Sequence, residues 1–543
     1  VIARTSSFAF KGKATDMREI GKALGAAHLL EGSVQQSGDT VRITAQLIRS
    51  SDGTHLWSKR YDRQLTDVFK IQDEIATEVV KALQIALPAA EKKQLVRKRT
   101  ESVAAYREYL KGNALLVGRK VADMRRALAH FEKAIELDPG YARAYAAASS
   151  ALGLIETYAS ITPEEERRRE RYIDRALELA PYLGEAHIAH AVALEEQRKL
   201  AEADAAFRRG VELAPGYATG WQWYAEFVLH AYGDVARTLP MLERAMALDP
   251  LSPIIRNEHA FTLLVAGRVD EALARNARLL ADRPDFAPAH GQRGEILELR
   301  GDLVGALRAL KTANEHDPGS GWGHTDRCKS LARFGAVTEA TDCVARFAAR
   351  FPDQDDHVIE ARIAMMALAG DFAGALALLS AHDHPNPWER ASLLTFNRRA
   401  HEALPILRSQ VPELFAQPPE MASPFVGDAI LVGTALLQTG ATQQGRVLLQ
   451  EALRTSRGRP YATPVLGRGW WDVFAQVQLE NVPGACRALK EAVDSGYFLD
   501  IAQLDATPLM EPLRADLCYQ RILAPARAKA AAQVAAARKA GLL

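Results

Sequence analysis

Two histidines three residues apart, His187 and His190, have the spacing with which a helix presents two imidazoles to one metal ion. They stand where large packing residues recur elsewhere in the chain, so the reading is core or groove histidines. His382, Asp383 and His384 offer three more donors, but in a loop and as an incomplete ligand set. Gly319, Gly321 and Gly323 make a glycine-rich run that could approach a phosphate. It lies between two helical stretches, and a turn is the simpler use. No Walker-type loop and no Gly-x-Ser-x-Gly elbow is present. The sequence therefore assigns no catalytic, cofactor-binding or metal residue, and the chain reads as non-enzymatic.

Four cysteines fall as two pairs, Cys328 with Cys343 and Cys486 with Cys518. Each pair could be a bridge in an oxidising compartment; buried thiols at helix contacts are the reading taken. Trp221, Trp223 and Tyr224 crowd one helix, with Trp221 and Tyr224 on a common face and Trp223 turned away as a surface contact. The basic run Lys92-Lys93-Gln94-Leu95-Val96-Arg97-Lys98-Arg99 reads as the solvated face of a linker helix.

The elements that would position these groups are mostly helices. The 543 residues are 48% hydrophobic and 25% charged, which suits a folded chain of several domains. A formal net charge of +1 argues against a general nucleic-acid binder. No apolar run reaches the ~20 residues of a membrane span. Prolines recur at 139, 181, 215, 250, 284, 318 and 352, at intervals of 42, 34, 35, 34, 34 and 34 residues. Five residues before most of them stands a small side chain: Ala134, Ala176, Gly210, Ala245 and Ala313, with Leu279 and Phe347 the exceptions. Twelve before stand Ala127, Ala203, Ala272, Ala306 and Ala340, with Arg169 and Thr238 in two repeats. The preceding helix also carries small residues, among them Gly112, Ala191, Ala225 and Gly294, and turn glycines follow at 267, 301 and 335. The pattern predicts antiparallel helix pairs in close approach, each second helix stopped by a proline that cannot continue it.

This pattern resembles the tetratricopeptide repeat, a helix–turn–helix unit of 34 residues, most closely in the segment FEKAIELDP, Phe131–Pro139. The resemblance implies an α-solenoid of about nine to ten hairpins. Its regular part spans 104–385, with divergent hairpins over 386–497 and capping helices or a tail over 498–543. Arg169, Leu279 and Phe347 replace small residues and predict looser packing there.

Residues 1–87 differ. Val1–Thr5 reads as a strand, Asp16–Leu24 as a helix, and His28–Gln36, Val41–Arg49 and Thr54–Tyr61 as three strands with hairpin turns. A helix over Asp67–Leu87 and a basic linker helix over 88–103 follow. The run Leu29–Arg63, with Val68–Ile75, is similar to the TolB-like domain of bacterial signalling proteins. The family's opening strand and first helix are missing, which implies an N-terminally truncated α+β domain. The resemblance implies parents such as winged-helix regulators, class III adenylate cyclases or kinases. A periplasmic placement is the expectation from those parents, with the cytoplasm the alternative.

A solenoid binds on the wall formed by its first helices. The repeat register puts Glu185, Ile188, Val192, Gln222, Trp223, Glu226, Asn257, Phe261, Glu295, Thr325 and Lys329 there, an apolar and acidic mixture. The expected partner is a protein or an extended or helical peptide with basic groups, without nucleic acid or membrane insertion; association between copies stays open. The expected function is a scaffold in the sensory or regulatory part of a bacterial signalling protein. The alternative is the regulatory segment of an adenylate cyclase or kinase whose catalytic domain lies upstream.

Overall fold

The computed structural model describes residues 1–13, 15–64, 67–83, 100–351, 355–381, 386–416, 419, 426–459 and 469–543. The expected strand at Val1–Thr5 is a short helix instead, α1 (Arg4–Phe8). Its partner is a helix end in the repeat array rather than a sheet. Ala3 N–H donates to the Leu248 carbonyl at 2.7 Å. Ser6 N–H donates to the Asp249 carboxylate at 3.1 Å, and Leu251 N–H donates to Ser6 Oγ at 2.7 Å. Those donors and acceptors are spent on a helix end more than 240 residues along the chain and not on a neighbouring strand.

A small α+β unit follows. Asp16 caps α2 (Met17–Leu24) by accepting from Arg18 N–H at 2.7 Å. Three strands, β1 (His28–Ser37), β2 (Thr40–Arg49) and β3 (His55–Gln64), form an antiparallel meander in the order β1-β2-β3. The register sets His28 against Arg49 and Val41 against Arg63. Helix α3 (Val68–Ala82) covers one face: Ile71 packs on Val41 and Tyr61, flanked by Ile43, Trp57 and Ile75. The edge strand β1 leaves Leu30 and Val34 exposed. The basic run at 92–99 and the end of the helix expected through Leu87 lie outside the described residues.

The array then begins with α4 (Val103–Leu115) and α5 (Val121–Leu137). It continues through α6 (Ala142–Tyr158), α7 (Pro163–Leu179), α8 (Gly184–Glu196), α9 (Leu200–Leu213), α10 (Ala218–Tyr232) and α11 (Val235–Leu248). Next come α12 (Pro253–Val265), α13 (Val269–Asp282), α14 (Ala287–Leu299), α15 (Leu303–His316), α16 (Gly321–Arg333) and α17 (Val337–Arg350). Then follow α18 (Asp355–Leu368), α19 (Phe372–Ser380), α20 (Pro387–Phe396), α21 (Ala400–Gln410), α22 (Val426–Gln438), α23 (Thr442–Ser456), α24 (Trp471–Gln478) and α25 (Val482–Asp494). These 22 helices pair into eleven hairpins among the described residues. The pair α20/α21 is the one that the proline-rich stretch from His384 obscured.

The small residues have the use their spacing predicts. A Cβ on Gly112 would lie 2.4 Å from the Phe131 ring, and one on Gly294 would lie 2.8 Å from Leu310. Each described second helix stops two residues before its proline, as α5 stops at Leu137 before Pro139; Pro352 lies outside the described residues. Gly267, Gly301 and Gly335 take the left-handed turn at φ 76°, 76° and 86°. Arg198, Arg398 and Glu480 hold the same conformation in other hairpins.

Looser packing is absent at two of the three exceptions. Leu279 is fully buried. Arg169 is buried too, because Gly153 opposite it makes room: a Cβ there would come within 2.9 Å of the guanidinium. Only at Phe347 does a gap remain, described below.

The array coils back on itself. Val121 N–H donates to the Asp317 carboxylate at 3.4 Å, 196 residues apart, and the Tyr158 and Trp322 rings meet edge to face with centroids 6.4 Å apart. The tail, α26 (Ile501–Ala506), α27 (Glu511–Arg514) and α28 (Leu517–Lys539), packs on the middle hairpins as well as on the last one. Asp500 N–H donates to the Arg333 carbonyl at 2.8 Å, Phe498 meets Phe334, and Gln533 accepts from Leu303 N–H at 3.2 Å. Helix α28 starts eight residues before Pro525 and carries that proline inside it.

Candidate binding groove

One recurring bond explains the first histidine of the apparent metal pair. Six residues after five of the seven prolines a ring donates to that proline's carbonyl. The pairs are Tyr145 on Pro139 at 3.3 Å, His187 on Pro181 at 2.8 Å, Trp221 on Pro215 at 3.1 Å, His290 on Pro284 at 2.8 Å and His324 on Pro318 at 3.3 Å. His187 Nε2 is thus committed to a helix corner. His382, Asp383 and His384 lie outside the described residues. Among those described, one donor cluster lies within metal reach: Cys486, Asp516 and Cys518. Its two cysteines are joined to each other. The glycine run is the turn into α16, where Ser320 Oγ accepts from Gly323 N–H at 3.2 Å.

Both cysteine pairs are bridged, against the reading of free thiols. Cys328–Cys343 joins the two helices of one hairpin, and Cys486–Cys518 ties α25 to α28. Their Cα separations are 5.5 and 6.0 Å, which the packing of the helices already supplies.

The first helices of successive hairpins line the inside of the coil. Between α6, α8, α10 and α12 lies a cavity of about 270 Å³, walled by Ser149, Thr157, Tyr158, Val192, Glu195, Gln222, Trp223, Glu226, Ile254 and Glu258 and closed by Arg119. Of the eleven residues expected on this wall, the cavity contains Val192, Gln222, Trp223 and Glu226. Further along, Phe261 stands beside the His230 ring, Glu295 is half-buried, and Lys329 pairs with Glu360 at 2.5 Å. Four do not face the groove freely. Ile188 is buried against Gly210 and Gly220. Asn257 is buried, with its carbonyl accepting from Gln292 at 2.8 Å. Thr325 is buried with its hydroxyl on the Gly321 carbonyl at 3.0 Å. Glu185 is held by Arg143 at 3.2 Å.

The error is angular. Positions seven residues after the proline (Ile188, Asn257, Thr325) turn into the contact with the next hairpin. One residue later the helix has rotated about 100° and looks inward. Trp223, Glu258 and Asp326 occupy that eighth position. Sequence reasoning therefore missed Glu258, Asp326, Glu195, Tyr158 and Arg119. A count of carboxylates along the eighth, eleventh and fourteenth positions would have found the first three.

Those carboxylates set the electrostatics. Burial, then Glu226 and Glu196, push Glu195 up to about 8. Burial and Glu226 hold Glu258 well above the usual carboxylate range. Burial and Glu298 raise Glu295 to about 7. Asp326 is raised to about 8, mainly by burial; Glu298, Glu295 and Glu360 add to it, and Lys329 opposes. Glu389 is raised by burial and by Glu360. An acidic row thus runs along the inner helices from α8 to α20. At its head Arg119 is 94% buried, its Nη1 has no hydrogen-bond partner, and its charge opposes the shift at Glu258. Gln222 Oε1 and Ser149 Oγ are buried there without partners too. The groove can thus receive cations along its length and hydrogen-bonding groups at its head.

Comparison with known proteins agrees with this architecture. The family model for the tetratricopeptide repeat matches residues 229–293. A Rhizobium meliloti (strain 1021) protein provisionally named adenylate cyclase 3 is 33% identical over 206 residues, which are 38% of this chain and 35% of that protein. The chain thus matches about a third of that relative's length. Similar solved structures include YrrB, described as a tetratricopeptide-repeat protein with an unusual peptide-binding site. It is 22% identical, covering 35% of this chain and 92% of that one, with a TM-score of 0.23. The human IFIT1 dimer with PPP-AAAA is 15% identical, covering 72% and 88%, with a TM-score of 0.38. Residues 229–293 match the tetratricopeptide repeat, and the array around them is built from helical hairpins of the same kind.

Proposed function

We propose that the inner groove binds a peptide segment rich in lysine and arginine, and that the chain acts by recognition, without bond chemistry. The observation that carries this is the row Glu195, Glu226, Glu258, Glu295, Asp326, in which burial first, and nearby acids second, raise Glu195, Glu258, Glu295 and Asp326 above ordinary carboxylates. A cation placed among them favours their ionised forms, so binding releases protons and strengthens as pH rises. Trp223 and Tyr158 supply flat apolar walls on which a guanidinium stacks. The same row repels phosphate, which disfavours a nucleic acid here.

The module would be the sensory or regulatory part of a larger signalling protein. The match to the Rhizobium relative favours a cyclase as the effector. The similarity of the N-terminal meander to TolB-like domains supports the same setting.

Fluorescence anisotropy tests the groove. The probes are labelled nonapeptides of alternating Arg-Ala and alternating Glu-Ala. The Arg peptide should bind and the Glu peptide should not, and Glu226→Lys with Glu295→Lys should weaken the Arg peptide at least tenfold. Equal binding of both peptides, or binding unchanged in the double variant, would contradict the assignment.

A further inference from the structure

Outside the groove the array has an opening of about 660 Å³ where α15 ends, α16 begins and α17 ends. It sits at Phe347, which with Leu279 departs from the small-residue position that other second helices fill with alanine or glycine. The Phe347 ring is part of its lining. His324 stacks on Phe347 with centroids 5.2 Å apart, and Phe351 closes the same side, 4.8 Å from His324. The volume is that of a small-molecule site.

Its charge is opposite to that of the groove. Lys311, Arg327, Arg346 and Arg350 border it, against Glu315 alone, which lies 3.8 Å from Lys311. Arg327 donates to the Leu542 carbonyl at 3.1 Å, and its Nε is buried without a partner. Arg346 has no ion pair within 4 Å among the described residues, although Asp342 stands one turn away on α17. Arg350 lies over the Phe351 ring at 5.2 Å. Asn314 Oδ1 is buried without a partner at the inner end. Among the described residues no carboxylate pairs with these three guanidinium groups; their forks match the oxygens of a phosphate, and the rings match a flat apolar body.

We propose that this pocket binds a small organic phosphate, with the phosphate on Arg327, Arg346 and Arg350 and a planar ring against Phe351 and His324. It is independent of the groove reading: the two sites share no lining residue and take opposite charges.

Isothermal titration of the whole chain with AMP, UMP, adenosine and inorganic phosphate tests it. Saturable binding of a nucleotide is expected, at least tenfold tighter than either adenosine or inorganic phosphate. Arg346→Glu should weaken it thirtyfold or more and Phe351→Ala less. Arg346 is exposed, so its replacement leaves the fold intact, and an unchanged melting temperature checks this. Glu226→Lys in the groove should leave nucleotide binding as it is. No saturable nucleotide binding, inorganic phosphate as tight as the nucleotide, or an indifferent Arg346→Glu would each overturn the proposal.

Discussion

Glu195→Gln tests the electrostatics of the groove without needing a ligand. Glu195 lines the cavity on α8 and faces Glu226 from α10, with Glu196 beside it on its own helix. Arg169 of α7, also at the cavity wall, is engaged by Glu196 at 2.8 Å and by Glu156 of α6 at 2.7 Å. Its midpoint of about 8 exceeds that of an unfolded glutamate, so between roughly pH 4 and pH 8 the folded chain holds a proton that the unfolded chain releases. Folding stability from this group is therefore full at low pH and is lost as pH rises through 8. Each tenfold change in proton affinity is worth about 1.4 kcal/mol, so complete burial would cost roughly 4–5 kcal/mol at pH 9. The groove is open to solvent, which screens the charge, and we expect about 2 kcal/mol. Glutamine reproduces the protonated side chain, so the variant should match the native chain at pH 5 and exceed it at pH 9. Thermal unfolding at pH 5, 7 and 9 reads this out. Curves that run parallel across the range would refute the claim that Glu195 is held protonated by its surroundings.

Arg169 is 4% exposed and bridges two hairpins through Glu156 and Glu196, so Arg169→Ala should cost about 2–4 kcal/mol in urea unfolding. Arg169→Met, which keeps the volume, should cost less; equal losses would mean that packing plays no part. Cys328–Cys343 closes a loop of 15 residues, and reduction should remove about 3 kcal/mol. A melting temperature indifferent to dithiothreitol, in a chain shown to have two bridges beforehand, would contradict that estimate.

The hairpins were legible because they are local. A small residue facing a large one, as Gly112 faces Phe131, and a proline two residues past a helix end are written within 34 residues of one another. The short helix α1 was not, since what turns Val1–Thr5 away from a strand is Asp249, more than 240 residues on. Alternation in the sequence records a side-chain period, and a partner that accepts the backbone's hydrogen bonds overrides it. Arg169 misled for a related reason. Its size was visible, whereas the matching absence at Gly153 acquires meaning only when the two helices are known to touch there.

The groove was legible in character and misplaced in register, and the reason lies in the stack rather than the repeat. Any one inner helix contributes an acid that alone would be a solvated surface residue. What lifts Glu195, Glu295 and Asp326 far from ordinary carboxylates is burial first, as the coil narrows the trough where Trp322 reaches Gly291 and Tyr158, and second the nearby acids, from its own helix for Glu295 and from other inner helices as well for Glu195 and Asp326. Coiling depends on contacts such as Val121 with Asp317, which no 34-residue period encodes. The same geometry ties recognition to coil pitch. Opening the coil would rehydrate the row and lower its proton affinity, whereas a cation in the trough favours the closed form by neutralising it. Occupancy of the groove and curvature of the array are then one equilibrium, and a domain joined to either end would sense it.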